Sequence, residues 1–228
     1  MTEPTVLLSG LGIPESPRWH EGRLWFCNWV DRQVVAVGLD GASEVTPVRN
    51  ARLTGYSIDW LPDGRLLMTG DDLRRQEPDG SMVTIAEQGA NEIVVDGRGN
   101  VYLNGADFDF AGGEAPKPGY VKLLTPDGEL RQVAADIQFP NGMVITPDNR
   151  TLIISESFAG RLTASTSART AGWSTGGCSP KASARTASAW TPKARSGSRT
   201  AAPQSSGSPR AAGSCSGSNC PKAGRRSR

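Results

Sequence analysis

The strongest constraint on how this 228-residue chain can fold is a turn-and-strand pattern that returns four times. It reads Trp19-His20-Glu21-Gly22-Arg23-Leu24-Trp25-Phe26, Trp60-Leu61-Pro62-Asp63-Gly64-Arg65-Leu66-Leu67, Val95-Asp96-Gly97-Arg98-Gly99-Asn100-Val101-Tyr102 and Thr146-Pro147-Asp148-Asn149-Arg150-Thr151-Leu152-Ile153. The turn residues Gly22, Gly64, Gly99 and Asn149 lie 42, 35 and 50 residues apart. Glycine and asparagine reach the positive φ that tight hairpin turns need, and the apolar alternation after each turn reads as strand. Further strand and turn pairs lie between, such as Val34–Val37 before Asp40-Gly41 and Tyr120–Leu124 before Asp127-Gly128. No 11-residue stretch carries helical period and caps. Four strands per unit of ~40 residues is the pattern of a β-propeller blade. The expectation is an all-β chain with about four blades in residues 1–164, the longest spacing holding an insertion at 107–119. The same turns also suit an ordinary β-sandwich.

Charge divides the chain at the end of that repeat. Residues 1–164 carry 14 Lys and Arg against 23 Asp and Glu, a net of −9, whereas residues 165–228 carry 11 Lys and Arg and no acid. The last 64 residues contain no Val, Ile, Leu, Met, Phe or Tyr, only Trp173 and Trp190. So little apolar surface cannot offset roughly 1–2 kcal/mol of ordering entropy per residue, so a disordered, basic tail is expected over 165–228. The first residues, Met1-Thr-Glu-Pro-Thr-Val-Leu-Leu, have no basic region and no long apolar run, so no secretory leader is expected. No apolar run approaches the ~18 residues of a spanning helix. Cys27 is the one cysteine before the tail, which argues against a disulfide framework and for a reducing cytoplasm.

Propellers gather function where innermost strands converge, so polar residues that break the apolar pattern there are the candidates. Glu15 sits between Pro14 and Pro17 just before the first expected strand, Asn91 precedes Ile93-Val94-Val95, and Asn141 precedes Met143-Val144-Ile145. A carboxylate and two amide oxygens from separate blades make a hard-oxygen set suited to Ca²⁺, Mg²⁺ or Mn²⁺ and acceptable to Zn²⁺. The residues also read as a solvated loop acid and two turn asparagines bonded to their own backbone. His20 reads as a surface turn residue, Asp71 to Glu77 as a solvated hairpin face, and Cys215 with Cys220 as a poor zinc pattern.

The stretch Gly10-Leu-Gly-Ile-Pro-Glu-Ser-Pro-Arg-Trp-His-Glu-Gly-Arg-Leu-Trp-Phe26, with Asn91-Glu-Ile-Val-Val-Asp96 and Pro140-Asn-Gly-Met-Val-Ile-Thr-Pro-Asp-Asn-Arg-Thr-Leu152, resembles the gluconolactonase, senescence-marker-protein (regucalcin-like) and luciferin-regenerating-enzyme family. The resemblance runs from about residue 6 to 164. It implies a six-bladed propeller, of which about four blades are present, that hydrolyses a sugar lactone with one divalent metal (Ca, Zn, Mg or Mn). By the same resemblance Glu15 and Asn141 are metal ligands, and Asn91 and Asp109 contact substrate. Gly89 stands where some members carry an arginine. The family's third ligand, an aspartate in a Pro-Asp-Gly block of the fifth blade, has no counterpart in the chain as written, which is therefore expected to be inactive.

A change of reading frame would account for the tail. If one base is missing just after the Ala164 codon, each tail codon preserves the second base of a true one. Arg185 to Thr200 then reads Pro-Asp-Gly-Ile-Cys-Leu-Asp-Ala-Glu-Gly-Ala-Val-Trp-Val-Ala-Asp, with Thr186 standing at the missing aspartate. Two other functions fit the residues: a propeller fragment whose basic tail binds a polyanion or nucleic acid by counterion release, and a non-enzymatic calcium-binding scaffold. With only two aromatics in the tail, base stacking has little support, and no membrane partner is expected.

Overall fold

A computed structural model describes residues 4–48, 55–109, 112–166 and 174–175. They form four antiparallel sheets of four strands each, every sheet a meander in chain order. The first holds β1 (Pro14–His20), β2 (Arg23–Asn28), β3 (Gln33–Val37) and β4 (Ser43–Pro47). The second holds β5 (Ile58–Trp60), β6 (Leu66–Thr69), β7 (Leu73–Gln76) and β8 (Met82–Ala86). The third holds β9 (Glu92–Val95), β10 (Val101–Gly105), β11 (Gly119–Leu124) and β12 (Leu130–Ile137). The fourth holds β13 (Pro140–Ile145), β14 (Thr151–Glu156), β15 (Arg161–Thr166) and β16 (Ser174–Thr175). All lie within the unit Met1–Pro192. The four repeats are the four hairpins that open these sheets, and the architecture is the expected propeller rather than a sandwich.

The turns explain the repeat. Glu21 and Gly22 both have positive φ, 49° and 76°, so β1 and β2 meet in a two-residue turn whose twist matches the strands. The other three share a longer loop: the N–H of Leu61, Asp96 and Thr146 donates to the carbonyl of Arg65, Asn100 and Thr151, at 2.9 Å in each case. Gly64, Gly99 and Asn149 take the left-handed position, at φ 87°, 83° and 57°.

Consecutive sheets pack face against face. Cys27 and Val34 of the first meet Tyr56 and Ile58 of the second. Leu67 and Leu73 of the second meet Ile93, Val101 and Leu103 of the third. Val94, Tyr102 and Val121 of the third meet Met143, Leu152 and Ile154 of the fourth. Innermost strands β1, β5, β9 and β13 adjoin one another in that order. The strand farthest out in the first sheet, β4, is exposed along its whole length, as its polar sequence Ser-Glu-Val-Thr-Pro requires. Among the described residues no helix is long and apolar enough to cross a membrane. The expected tail lies outside the described residues apart from Ser165, Thr166, Ser174 and Thr175.

Glu156, on β14 and buried, shows how the fourth sheet is held. Its carboxylate accepts Arg161 Nε at 2.8 Å and Nη2 at 3.1 Å, the N–H of Gln138 at 2.9 Å, and the Thr163 hydroxyl. Burial alone would raise this carboxyl, but Arg161, Thr163 and Gln138 outweigh it and hold it below its ordinary value of 4.5. A carboxyl lowered in the folded state supplies stability above its unfolded value and loses it as pH falls through the lowered one. The urea midpoint should therefore fall on acidification below about pH 5, and Glu156→Gln should flatten that slope. An identical slope in the variant would remove Glu156 as its source.

Candidate functional site

The innermost strands carry the candidates at their first residues, and here two expectations change. Glu15 lies inside β1, paired with Cys27, not ahead of the strand. Asn141 likewise lies inside β13, while Asn91 precedes β9 and donates its N–H to the Asn104 carbonyl at 2.9 Å. Both β1 and β13 break register at this point, between Glu15 and Arg18 and between Pro140 and Met143. Such bulges re-aim side chains without ending the sheet. Ser16, at φ 53°, and Phe139, at φ 56°, carry the strained backbone beside them.

The bulge in β1 turns Ser16 into the interior, where its hydroxyl shares its one proton between the two oxygens of Glu92, 2.8 and 2.7 Å away. Ser57, ahead of β5, donates to Glu92 Oε1 at 2.6 Å, and Arg18 Nη2 donates to the same oxygen at 2.5 Å. Arg18 also reaches the Ile93 carbonyl at 2.5 Å and stands 3.8 Å from Asp59 Oδ2. Asp59 accepts the backbone N–H of Val95 at 2.7 Å and of Trp60 at 2.9 Å. Glu92, 4% exposed, thus ties the innermost strands of three blades together.

Two carboxylates, Asp59 and Glu92, therefore share one guanidinium, and Glu15 feels the charge of Glu92. Burial, and then the charge of Glu92, push the Glu15 carboxyl up. Burial raises Asp59 as well, and raises the Cys27 thiol well above its ordinary range. Arg18 would be lowered by burial, but Glu92 and Asp59 hold it raised, so it stays charged. A half-buried carboxylate in a negative field favours a bound cation or a proton. Asn141 Nδ2 is turned to the Ser157 hydroxyl, 3.4 Å away, which leaves its Oδ1 as the oxygen available to a ligand. A carboxylate and an amide oxygen are donor types that a hard divalent cation takes. Among the described residues no three His, Cys, Asp or Glu side chains form a metal cluster of their own. Thr186, at the expected place of the third ligand, lies outside the described residues.

Asp109 is not brought to this group by any bond. It is exposed in the 107–119 insertion, where its carboxylate accepts the N–H of Gly112 at 2.7 Å and its own N–H donates to Glu114 Oε2 at 2.8 Å. At Gly89 a Cβ would come within 2.8 Å of the Gly70 carbonyl, so backbone packing excludes the arginine of some relatives. His20 is half-buried rather than a plain surface residue, its ring stacked on Trp60 at 4.0 Å.

The sequence reading passed over Arg18, Ser57, Glu92 and Asn104. Glu92 was within reach of it: a charge opening the apolar run Ile93-Val94-Val95, next to Asn91, breaks the pattern as much as Asn91 does. Its partners were not, because the 76 residues from Ser16 to Glu92 are joined only by the closeness of three blades.

Residues 13–176 match the family described as SMP-30/Gluconolactonase/LRE-like region, starting and ending later than the motifs suggest. Comparison with curated proteins gives no match. Among solved structures, a gluconolactonase from Xanthomonas campestris is 22% identical, with a TM-score of 0.59 over 73% of this chain and 62% of its own. A regucalcin from Agrobacterium tumefaciens, described as a calcium-binding protein, is 19% identical, with a TM-score of 0.58 over 72% of this chain and 57% of its own. A luciferin-regenerating enzyme is 17% identical, with a TM-score of 0.60 over 72% of this chain and 58% of its own. The present chain thus spans less than two thirds of each. At these identities the likeness concerns the fold, and the family rests on the match over residues 13–176: the chain belongs to the SMP-30/gluconolactonase/LRE-like family.

Proposed function

We propose that residues 1–164 are the leading blades of a divalent-metal-dependent sugar-lactone hydrolase, and that the chain as written is inactive for want of its third metal ligand. One observation carries this reading: Glu15, Asn91 and Asn141 open the innermost strands of three blades within the matched family region. Glu15 and Asn141 would hold the cation, which when bound polarises a lactone carbonyl and acidifies a water. Asn91 would hold a sugar hydroxyl with its side-chain amide. Asp109 could join it only by giving up the Gly112 N–H. One pairing supports a change of frame as well. Ser165 is buried opposite Leu152 on the third strand of its sheet, where the third sheet pairs the buried Leu124 with Val101. We place the protein in the cytoplasm, where the buried free thiol of Cys27 stays reduced.

The test compares the chain as written with one in which a base is added after the Ala164 codon. Each is assayed for hydrolysis of gluconolactone with Mn²⁺, Ca²⁺ or Zn²⁺ and after chelation. Turnover is expected only in the restored chain and only with metal. Hydrolysis by both chains alike would overturn the inactivity; none by the restored chain would overturn the lactonase reading. Resequencing across the codons for Thr163 to Ser167 then tells an error in the sequence from a true mutation.

A further inference from the structure

Asn104, in β10, is fully buried and touches both candidate asparagines. Its backbone carbonyl accepts the N–H of Asn91 at 2.9 Å within the third sheet. Its Nδ2 donates to the backbone carbonyl of Asn141, 2.6 Å away in the fourth. Its Oδ1 has no hydrogen-bond partner among the described residues. Burying an unpaired acceptor is unfavourable, and a leucine of the same branched shape would avoid it. Packing therefore does not account for an amide here. What the amide adds is a donor aimed across the boundary between two blades.

That boundary needs one. Among the described residues no backbone ladder joins the third sheet to the fourth, so beyond the short link from Ile137 to Pro140 their relative placement rests on side chains. The Asn141 carbonyl lies in the bulge between Pro140 and Met143, where the ladder of β13 with β14 breaks register. We propose that Asn104 is a positioning residue that sets Asn141 against Asn91, through one side-chain bond to the first and one backbone bond to the second. The proposal rests on reading Asn141 as a metal ligand and Asn91 as a substrate contact. It places between them a residue that itself touches neither metal nor substrate. Outer partners of this kind tune affinity by fixing a ligand's orientation.

The test uses the full chain and two variants, Asn104→Leu and Asn104→Ala. Both lose the donor, but one keeps the volume and the other empties it. Mn²⁺ affinity is measured by calorimetry, amide hydrogen exchange over residues 138–145 by mass spectrometry, and unfolding by thermal melting. Both variants should bind Mn²⁺ about tenfold more weakly or worse, and both should exchange faster over 138–145, while Asn104→Leu melts no lower than the parent. A packing role predicts losses in Asn104→Ala alone. An Asn104→Leu variant that binds and exchanges like the parent overturns the proposal. If the parent, which lacks its third ligand, binds no Mn²⁺, exchange alone decides the positioning role: faster in both variants supports it, unchanged in Asn104→Leu overturns it.

Discussion

Replacing Glu92 by alanine should cost about 3–5 kcal/mol of stability, because it strands a charged partner in the interior. Arg18 and Glu92 have side chains only 12% and 5% exposed, so solvent cannot take over the lost charge. The substitution also leaves the hydroxyls of Ser16 and Ser57 without the carboxylate to which they donate. All three donors come from blades other than that of Glu92, so the loss should loosen blade contacts rather than one sheet. A double variant, Arg18→Leu with Glu92→Leu, should retain more stability than Glu92→Ala, since removing both charges avoids the stranded one. Urea denaturation of the three proteins decides the matter. A loss below about 1 kcal/mol in Glu92→Ala is the value of an exposed ion pair, and would contradict a buried role.

Leu67→Ala should cost about 2–5 kcal/mol, the range for emptying a closed core position. Leu67 is fully buried where the second sheet packs on Ile93, Val101 and Leu103 of the third. Rigid strands on both sides limit how far the gap can collapse, which favours the upper part of that range. Val83→Ala is the comparison: it lies on β8 and is 37% exposed, so its loss should stay within about 0.5 kcal/mol. Similar losses in the two variants would mean that the sheets do not pack through Leu67.

The four hairpins were legible because each is a local event. Gly22, Gly64, Gly99 and Asn149 adopt the positive φ that their residue types favour, and nothing distant is required. Strand boundaries were less so: Glu15 and Asn141 were expected ahead of their strands, yet β1 and β13, each with a bulge, begin before them at Pro14 and Pro140. A bulge depends on the partner strand's register, which no local pattern encodes. His20 differed for a similar reason, since the ring of Trp60 that covers it belongs to the next blade.

The sequence by itself determined the repeat, the turn chemistry, the family and the three residues at the head of the inner strands. Each of these is written in short segments, where residue type limits φ, side-chain alternation marks a buried face, and a motif stands complete. Only the tertiary structure decided what surrounds them: Glu92 closing on Ser16, Ser57 and Arg18, Asn104 reaching from Asn91 to Asn141, and Gly89 pressed too closely on Gly70 to carry a side chain. These contacts join residues from 13 positions apart, between Asn91 and Asn104, to 76, between Ser16 and Glu92. They arise when apolar faces of successive sheets are driven together, leaving each buried polar group to find its partner on whichever blade lies beside it.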